Sequence, residues 1–90
     1  MLRPILVVHS TSAFERAFRE LPRNIQSLAE KKDNIFRQNA FDNRLRTHKL
    51  RGELEGYWSY SVDQKYRVLF RFVNNDEVLY YDVGTHDIYR

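Results

Sequence analysis

Hydrophobic and polar positions alternate most regularly in the carboxyl-terminal half of the chain. In residues 66–73, one set of alternate side chains is entirely aromatic or aliphatic, and the other set contains Arg67 and Arg71. A period of two is the pattern of a strand with one buried face. Short polar segments typical of turns separate this pattern from its two neighbours. Strands are therefore predicted over residues 57–62, 66–73 and 78–83.

The amino-terminal half shows a different pattern. A continuous apolar run predicts a first strand over residues 4–9, either central in the sheet or covered on both faces. Ser12 and Glu15 fit a capping box, with Ser12 as the cap of a short helix. Pro22 suits the first turn of a second helix, whose apolar stripe is interrupted at Lys32.

These elements follow one another in the order β-α-α-β-β-β. Helices next to each other in sequence, followed by strands with short turns, indicate a helical hairpin packed on one face of a small, mainly antiparallel sheet. The predicted fold class is α+β. The chain has 90 residues and shows no repeat or linker, so a single domain over residues 1–90 is expected. Residues 85–90 are predicted to form a tail after the last strand.

The composition narrows the possible chemistry. The chain contains no cysteine, which excludes disulfides and thiolate ligands or nucleophiles. The apolar run near the amino terminus is too short for a signal peptide or a membrane span, so a cytoplasmic location without a membrane partner is expected.

The charge is moderately basic, with a net charge of +3 and a pI of about 9.4, which is compatible with nucleic acid as a partner. Basic residues are concentrated between positions 37 and 51, where Asp42 is the only acid. The basic residues of this stretch are Arg37, Arg44, Arg46, Lys49 and Arg51, together with His48. A solvated, charged loop is the other interpretation of the same stretch.

No phosphate-binding loop, metal-ligand motif or nucleophile motif is present in the sequence. Catalysis, if any, would rest on His, Arg, Lys and Tyr side chains acting on an anion, with no cofactor or metal. Arg67 and Arg71 share the face opposite the apolar stripe, as in a surface that binds single-stranded RNA, or simply as two solvated arginines. His86 follows the end of the last strand, where it is suited to proton transfer or is merely exposed.

The second half of the chain resembles the RelE/ParE toxin superfamily of bacterial toxin–antitoxin modules, and most of all its mRNA interferases of the RelE and YafQ type. The resemblance covers roughly residues 44–90 at the level of motifs. Four segments carry it: residues 47–52 (THKLRG), 56–59 (GYWS), 65–70 (KYRVLF) and 83–89 (VGTHDIY).

This resemblance implies a toxin that cleaves mRNA on the ribosome without a metal and so inhibits translation. An mRNA 2′-hydroxyl would attack the adjacent phosphate, leaving a cyclic phosphate and a 5′-hydroxyl. The reaction needs a base, an acid and cations around the crowded phosphate. The implied partners are the ribosome, mRNA and an acidic antitoxin, with operator DNA contacted through the antitoxin.

The resemblance also assigns residues. Arg67 matches the arginine of the family's Tyr-Arg strand motif and is the expected phosphate clamp. His86 lies where YafQ-like members carry a catalytic histidine and RelE-like members an arginine. Tyr89 matches the tyrosine near the carboxyl end, and His48 the histidine before the Lys-Leu motif of YafQ-like members. RNA or phosphate binding is expected of Arg44, Arg46, Lys49, Arg51, Lys65 and Arg71.

The sequence departs from both family patterns. Trp58 and Tyr60 occupy the positions at which RelE-like members have catalytic lysines. Ser61 and Lys65 occupy the positions at which YafQ-like members have a second histidine and an aspartate. Lys65 could serve as a cation, but the acid–base set is incomplete by either pattern. Two alternatives therefore stay open: a ParE-like inhibitor of DNA gyrase, and a non-catalytic relative that only binds an antitoxin.

Overall fold

The computed structural model describes residues 2–89, so Met1 and Arg90, the two ends of the predicted domain, lie outside the described residues. Residues 2–89 form two helices, five strands and three short 3₁₀ helices. The helices and strands are β1 (Val7–Ser10), α1 (Ser12–Arg19), α2 (Arg23–Gln38), β2 (His48–Lys49), β3 (Trp58–Ser61), β4 (Arg67–Asn74) and β5 (Glu77–Gly84). The 3₁₀ helices are Asn43–Leu45, Gly52–Leu54 and His86–Tyr89.

The strands form one mixed sheet in the order β1-β5-β4-β3-β2, in which only the β1–β5 pair is parallel. The predicted α+β class and mainly antiparallel sheet are confirmed. Both placements predicted for the first strand, central in the sheet or covered on both faces, are wrong. The strand β1 begins at Val7, lies at one edge of the sheet and has largely exposed side chains. The basic stretch is also more than a loop, because His48 and Lys49 form β2 on the opposite edge.

The helices cover one face of the sheet, as the alternation in β4 predicts. Phe36 of α2 packs against Tyr60, Phe70 and Tyr80, with ring centroids 4.7, 4.9 and 5.7 Å away. All four aromatic side chains are buried, and large rings supply most of the area that a core of this size can bury. The helical face of the sheet is thus fixed by an aromatic cluster.

The first helix begins differently from the prediction. Thr11, not Ser12, is the N-cap, and its hydroxyl accepts a hydrogen bond from the backbone N–H of Phe14. Ser12 is already helical, and Glu15 instead accepts from the hydroxyl of Ser10. Both Ser and Thr cap helices well, so the sequence alone did not separate them. The second helix begins at Arg23, so Pro22 is its N-cap rather than a residue of its first turn.

The opposite face of the sheet, here called the open face, carries alternate residues of β2 to β5. A β-bulge between β4 and β5 leaves Tyr81 without a partner, next to the Leu69–Asp82 pair. The predicted tail is in fact a 3₁₀ helix, His86–Tyr89, directly after β5. Leu69 and Ser59 of this face are buried, so the face is only partly open. Within residues 2–89, no helix is long and apolar enough to cross a membrane.

Candidate active site

The register of the sheet brings the predicted catalytic positions to the open face. His48 pairs with Ser59, and Ser61 pairs with Arg67. Arg67 in turn pairs with Gly84, two residues before His86. Directly opposed residues of neighbouring strands point to the same face. A band across four strands therefore connects His48 to the segment that carries His86.

Arg67 lies at one end of this band, in a cleft of about 210 Å³ beside the β3–β4 turn. Its Nη1 donates a hydrogen bond to Ser61 Oγ, and its Nη2 lies 3.5 Å from the carbonyl oxygen of Gln64. These contacts hold the guanidinium in place while leaving other N–H donors for a ligand. We call this cleft the basic cleft. Its lining residues are Lys32, Arg44, Arg46, Ser61, Asp63, Gln64 and Arg67.

Two carboxylates in and beside the basic cleft are occupied by neighbouring donors. Asp63 accepts backbone hydrogen bonds from Lys65 and Tyr66 at 2.8 and 2.7 Å, which closes the β3–β4 turn. Asp42 binds Arg44 through both oxygens, at 2.9 Å each. The hydrogen bonds from Arg44 lower the pKa of Asp42 to about 2. The cleft nevertheless stays basic, because four cationic side chains line it against one aspartate.

The 3₁₀ helix at the carboxyl end places Tyr89 against the open face, with His86 beside it. The Tyr89 hydroxyl and Ser59 Oγ are 2.7 Å apart, which ties the helix to β3. The ring centroids of His86 and Tyr89 are 5.9 Å apart. Gly84 lets this segment approach closely, since a Cβ there would lie 2.8 Å from Cγ2 of Ile88. The position of both candidate side chains thus depends on a tight turn after β5.

The other expected binding residues are spread over the surface. His48 is exposed, with Nδ1 3.0 Å from the carbonyl oxygen of Arg46. Lys49 lies on the helical side, because it pairs with Trp58 and its Nζ is 6.0 Å from that ring. Arg51 and Lys65 are both exposed. The structure thus brings Arg44, Arg46 and Arg67 together, and it places Lys49 on the opposite face from His48.

Arg71 forms a second, separate group on the open face. Its guanidinium carbon is 6.0 Å from the ring centroid of Tyr57, and the Tyr57 and Tyr81 rings meet edge to face with centroids 4.9 Å apart. Hydrogen bonds from Tyr57 and then Arg71 lower the pKa of Tyr81, while the bond to Tyr81 raises that of Tyr57. The open face thus combines a cation with aromatic rings at Arg71.

The two positions assigned to the catalytic lysines of RelE-like members lie on the helical side of the sheet. Trp58 and Tyr60 pair with Phe70 and Val68, so they face the helices, and Tyr60 is buried. Their side chains do not reach the open face. The β3 positions on the open face are Ser59 and Ser61, which carry hydroxyls and no charge.

Lys32 is a cleft residue that the sequence did not identify as functional. It extends from α2 and its Nζ is 3.4 Å from the carbonyl oxygen of Arg44. Its signal in the sequence was the interruption of the apolar stripe of α2, which is also what a solvent-facing lysine produces. Among residues 2–89, no group of three or more His, Asp or Glu side chains is placed to hold a metal ion.

Comparisons with known proteins place this architecture among bacterial toxins: the chain has the fold of the YoeB, ParE, RelE and YafQ toxins. A YoeB/ParE toxin from Agrobacterium tumefaciens superposes with a TM-score of 0.75 at 13% identity, over 90% of this chain and 99% of the other. The toxin–antitoxin complex RelBE2 from Mycobacterium tuberculosis gives 0.74 at 24% identity, over 92% and 93%. YafQ from E. coli gives 0.67 at 13% identity, over 91% and 94%.

One curated protein is similar in sequence as well. Endoribonuclease HigB from Proteus vulgaris is 48% identical over 29 residues, so the match spans about a third of this chain (32%) and the same share of that relative. No protein-family model matches the chain. The resemblance to RelE/ParE toxins that the sequence motifs indicated is therefore confirmed in its fold.

Proposed function

We propose that this protein is the toxin of a type II toxin–antitoxin module and that it cleaves mRNA on the ribosome without a metal. The observation that carries the proposal is the arrangement of Arg67: a clamped guanidinium in a basic cleft, one strand away from the turn that leads to His86. Similarity to YoeB, RelBE2 and YafQ, and to the endoribonuclease HigB, supports the same class.

The chemistry proposed for the site is an in-line transfer at one phosphate. The 2′-oxygen loses its proton to a base and forms a bond to phosphorus, while the bond from phosphorus to the 5′-oxygen breaks. The departing 5′-oxygen takes a proton from an acid, so the products are a 2′,3′-cyclic phosphate and a 5′-hydroxyl.

Each candidate side chain has a role in this scheme. Arg67 binds the phosphate oxygens on which charge accumulates, with Lys32 and Arg46 adding positive potential around the cleft. His86 acts as the acid or base, and Tyr89 is fixed beside it through Ser59. His48, on the same face, is within the band that an RNA strand would follow. Arg44, Lys65 and Arg71 are expected to contact phosphates beyond the cleaved one.

Primer extension on transcripts tests the reaction. Purified protein is mixed in separate reactions with programmed ribosomes, with free mRNA, and with relaxed plasmid DNA, ATP and gyrase, whose supercoiling is followed on a gel. Cleavage of the ribosome-bound mRNA supports the proposal. Inhibition of gyrase without any cleavage would establish the ParE-like alternative instead. A chelator added after ribosomes have been stabilised by polyamines should leave the cleavage rate unchanged.

Substitutions of Arg67 test the proposed reaction most directly in this assay. We expect Arg67→Ala to abolish cleavage with little loss of stability, because its side chain contributes chiefly a polar contact to Ser61. Arg67→Lys should restore only part of the activity, since a point charge cannot bind phosphate in a bidentate way. Arg16→Gln, on the exposed side of α1, is the control for loss of one positive charge. An unfolded Arg67→Ala protein, seen by circular dichroism, would show that the residue is structural.

A further inference from the structure

Tyr57, Arg71 and Tyr81 form a compact group on the open face, separate from the basic cleft. The guanidinium carbon of Arg71 lies over the Tyr57 ring, 6.0 Å from its centroid. The Tyr57 and Tyr81 rings meet edge to face with centroids 4.9 Å apart. Arg71 is exposed, and both tyrosines are half-buried. We call this group the tyrosine–arginine cluster. It presents a guanidinium to solvent, with one aromatic ring beneath it and a second ring against the first.

The β-bulge in β5 brings Tyr81 into this cluster. In a regular strand, residues three positions apart point to opposite faces. Tyr80 and Val83 are nevertheless both buried on the helical side. The bulge therefore leaves two consecutive residues, Tyr81 and Asp82, on the open face. Bulges commonly re-aim a side chain beside a functional site.

The positive charge of Arg71 is not neutralised within the protein. The ion pairs within residues 2–89 join other residues. Asp82, on the same face, accepts a hydrogen bond from the backbone N–H of Val83 at 2.8 Å. A guanidinium with one face on an aromatic ring keeps its other face and its N–H donors for a ligand. Such a free guanidinium plane is a surface on which an unpaired nucleobase stacks.

The cluster lies where an RNA strand bound at the basic cleft would continue. Arg67 and Arg71 are four residues apart on β4, which separates their Cα atoms by about 13 Å along the strand. Tyr89 lies between them, because its hydroxyl is 2.7 Å from Ser59, which pairs with Leu69. A strand whose cleaved phosphate is at Arg67 can therefore pass over Tyr89 and reach Arg71 with a neighbouring base.

We propose that the tyrosine–arginine cluster is a stacking subsite for one unpaired RNA base near the cleaved phosphate. The base lies on the outer face of the Arg71 guanidinium, which Tyr57 supports from beneath. Purines are favoured over pyrimidines, because stacking strength sets the preference at sites of this kind. The inference rests on the proposed function in that the ligand is mRNA, and it goes beyond the phosphate contact expected of Arg71.

A contact with phosphate alone is the competing explanation for Arg71. That contact needs a positive charge but neither a planar group nor the two tyrosines. Loss of a phosphate contact weakens binding evenly across sequences, whereas loss of a base contact removes the preference at one position. Arg71→Lys separates the two explanations, since lysine keeps the charge and lacks the planar guanidinium.

Binding is measured without the ribosome, by NMR titration of isotope-labelled protein. The probes are a 2′-O-methyl oligoadenylate, which lacks the nucleophilic 2′-hydroxyl, and an abasic oligomer of the same length and charge. We expect the oligoadenylate to shift the amide signals of Tyr57, Arg71 and Tyr81 and to bind about 5- to 100-fold more tightly than the abasic oligomer. Arg71→Lys should lower this affinity ratio at least about fivefold. Arg16→Lys, on the exposed side of α1, is the matched control and should change the ratio less than about twofold.

Cleavage of ribosome-bound mRNA gives a second readout. Primer extension over many codons should show a purine preference at one fixed position relative to the cleaved bond. Arg71→Lys and Tyr57→Leu should flatten that preference. Tyr57→Phe keeps the ring beneath Arg71 and should retain it. Melting temperatures verify that all of these variants are folded.

Three results would overturn the subsite. They are equal affinity for the oligoadenylate and the abasic oligomer, an unchanged affinity ratio in Arg71→Lys, and amide shifts confined to residues outside the cluster. Failure of the nuclease proposal looks different. Base-dependent binding at the cluster without any cleavage of ribosome-bound mRNA would refute the nuclease and leave the base-binding site. Cleavage without base-dependent binding at the cluster would refute only the subsite.

Discussion

The hydroxyl of Tyr89 and Oγ of Ser59 lie 2.7 Å apart, so one hydrogen bond joins the carboxyl-terminal 3₁₀ helix to the open face of β3. Both Tyr89→Phe and Ser59→Ala remove this bond. If the hydroxyl also contacts RNA, Tyr89→Phe should lower the cleavage rate clearly more than Ser59→Ala does. Single-turnover cleavage of ribosome-bound mRNA measures the difference. Equal losses of cleavage rate in the two variants would show that the Tyr89 hydroxyl only positions the 3₁₀ helix.

The role of His86 leads to a second prediction. If its imidazole acts as acid or base, His86→Gln should lower the cleavage rate by about 10²–10⁴. Ribosome binding, which is measured by co-sedimentation, should change far less, because the cations of the basic cleft supply the salt-dependent attraction. The products should end in a cyclic or 3′-phosphate. Full activity of His86→Gln, or products with a 3′-hydroxyl, would exclude this mechanism.

Gly84 allows a test of how closely the site depends on the turn after β5. A Cβ at this position would lie 2.8 Å from Cγ2 of Ile88, so Gly84→Ala should displace the 3₁₀ helix. We expect cleavage to fall about 10- to 100-fold with little change in melting temperature. Adding Ile88→Ala removes the clashing methyl group and should recover much of the rate. No recovery in the double variant would point to a backbone effect of the alanine itself.

A buried chain of hydrogen bonds predicts unequal effects of two tyrosine substitutions. Tyr60 donates to the Tyr80 hydroxyl at 2.9 Å, and Tyr80 donates to Asp33 at 2.7 Å. Tyr80→Phe leaves the buried Tyr60 hydroxyl without its acceptor, which costs about 1–3 kcal/mol of unfolding free energy. Tyr60→Phe leaves Tyr80 bonded to Asp33 and should cost only about 0.5–1.5 kcal/mol. Urea denaturation measures both, and the opposite order would contradict the direction of the chain.

The same tyrosines predict sensitivity to alkali. Burial is the main cause that raises the pKa of Tyr60 and of Tyr80 above the ordinary value of 10.0. Because the folded pKa values lie above the unfolded ones, their contribution is complete below about pH 10 and is lost as the pH rises further. The Tyr60→Phe/Tyr80→Phe double variant should therefore lose less unfolding free energy than wild type between about pH 9 and 11. If the unfolding free energies of the two proteins fall by the same amount over this pH range, the buried tyrosines are not the cause of the loss.

Local patterns predicted the strands of the second half because each strand packs one apolar set of alternate side chains against the helices. Alternation placed Tyr60 and Phe70 on the helical side, and both are buried there. The same rule could not place β1, since a run of apolar residues does not show whether a neighbouring strand lies on one side or on both. Only pairing with β5, in parallel, made β1 an edge strand.

Short-range periodicity and motifs were enough to predict the two helices, strands β3 to β5, the helical face of the sheet and the candidates Arg67 and His86. Which cations share one cleft became known only from the assembled fold. Lys32, Arg44 and Arg67 come from a helix, a 3₁₀ turn and a strand, and nothing in their spacing predicts contact. Surface charges do not have to pack in a periodic pattern, so only the assembled fold brings them into one cleft.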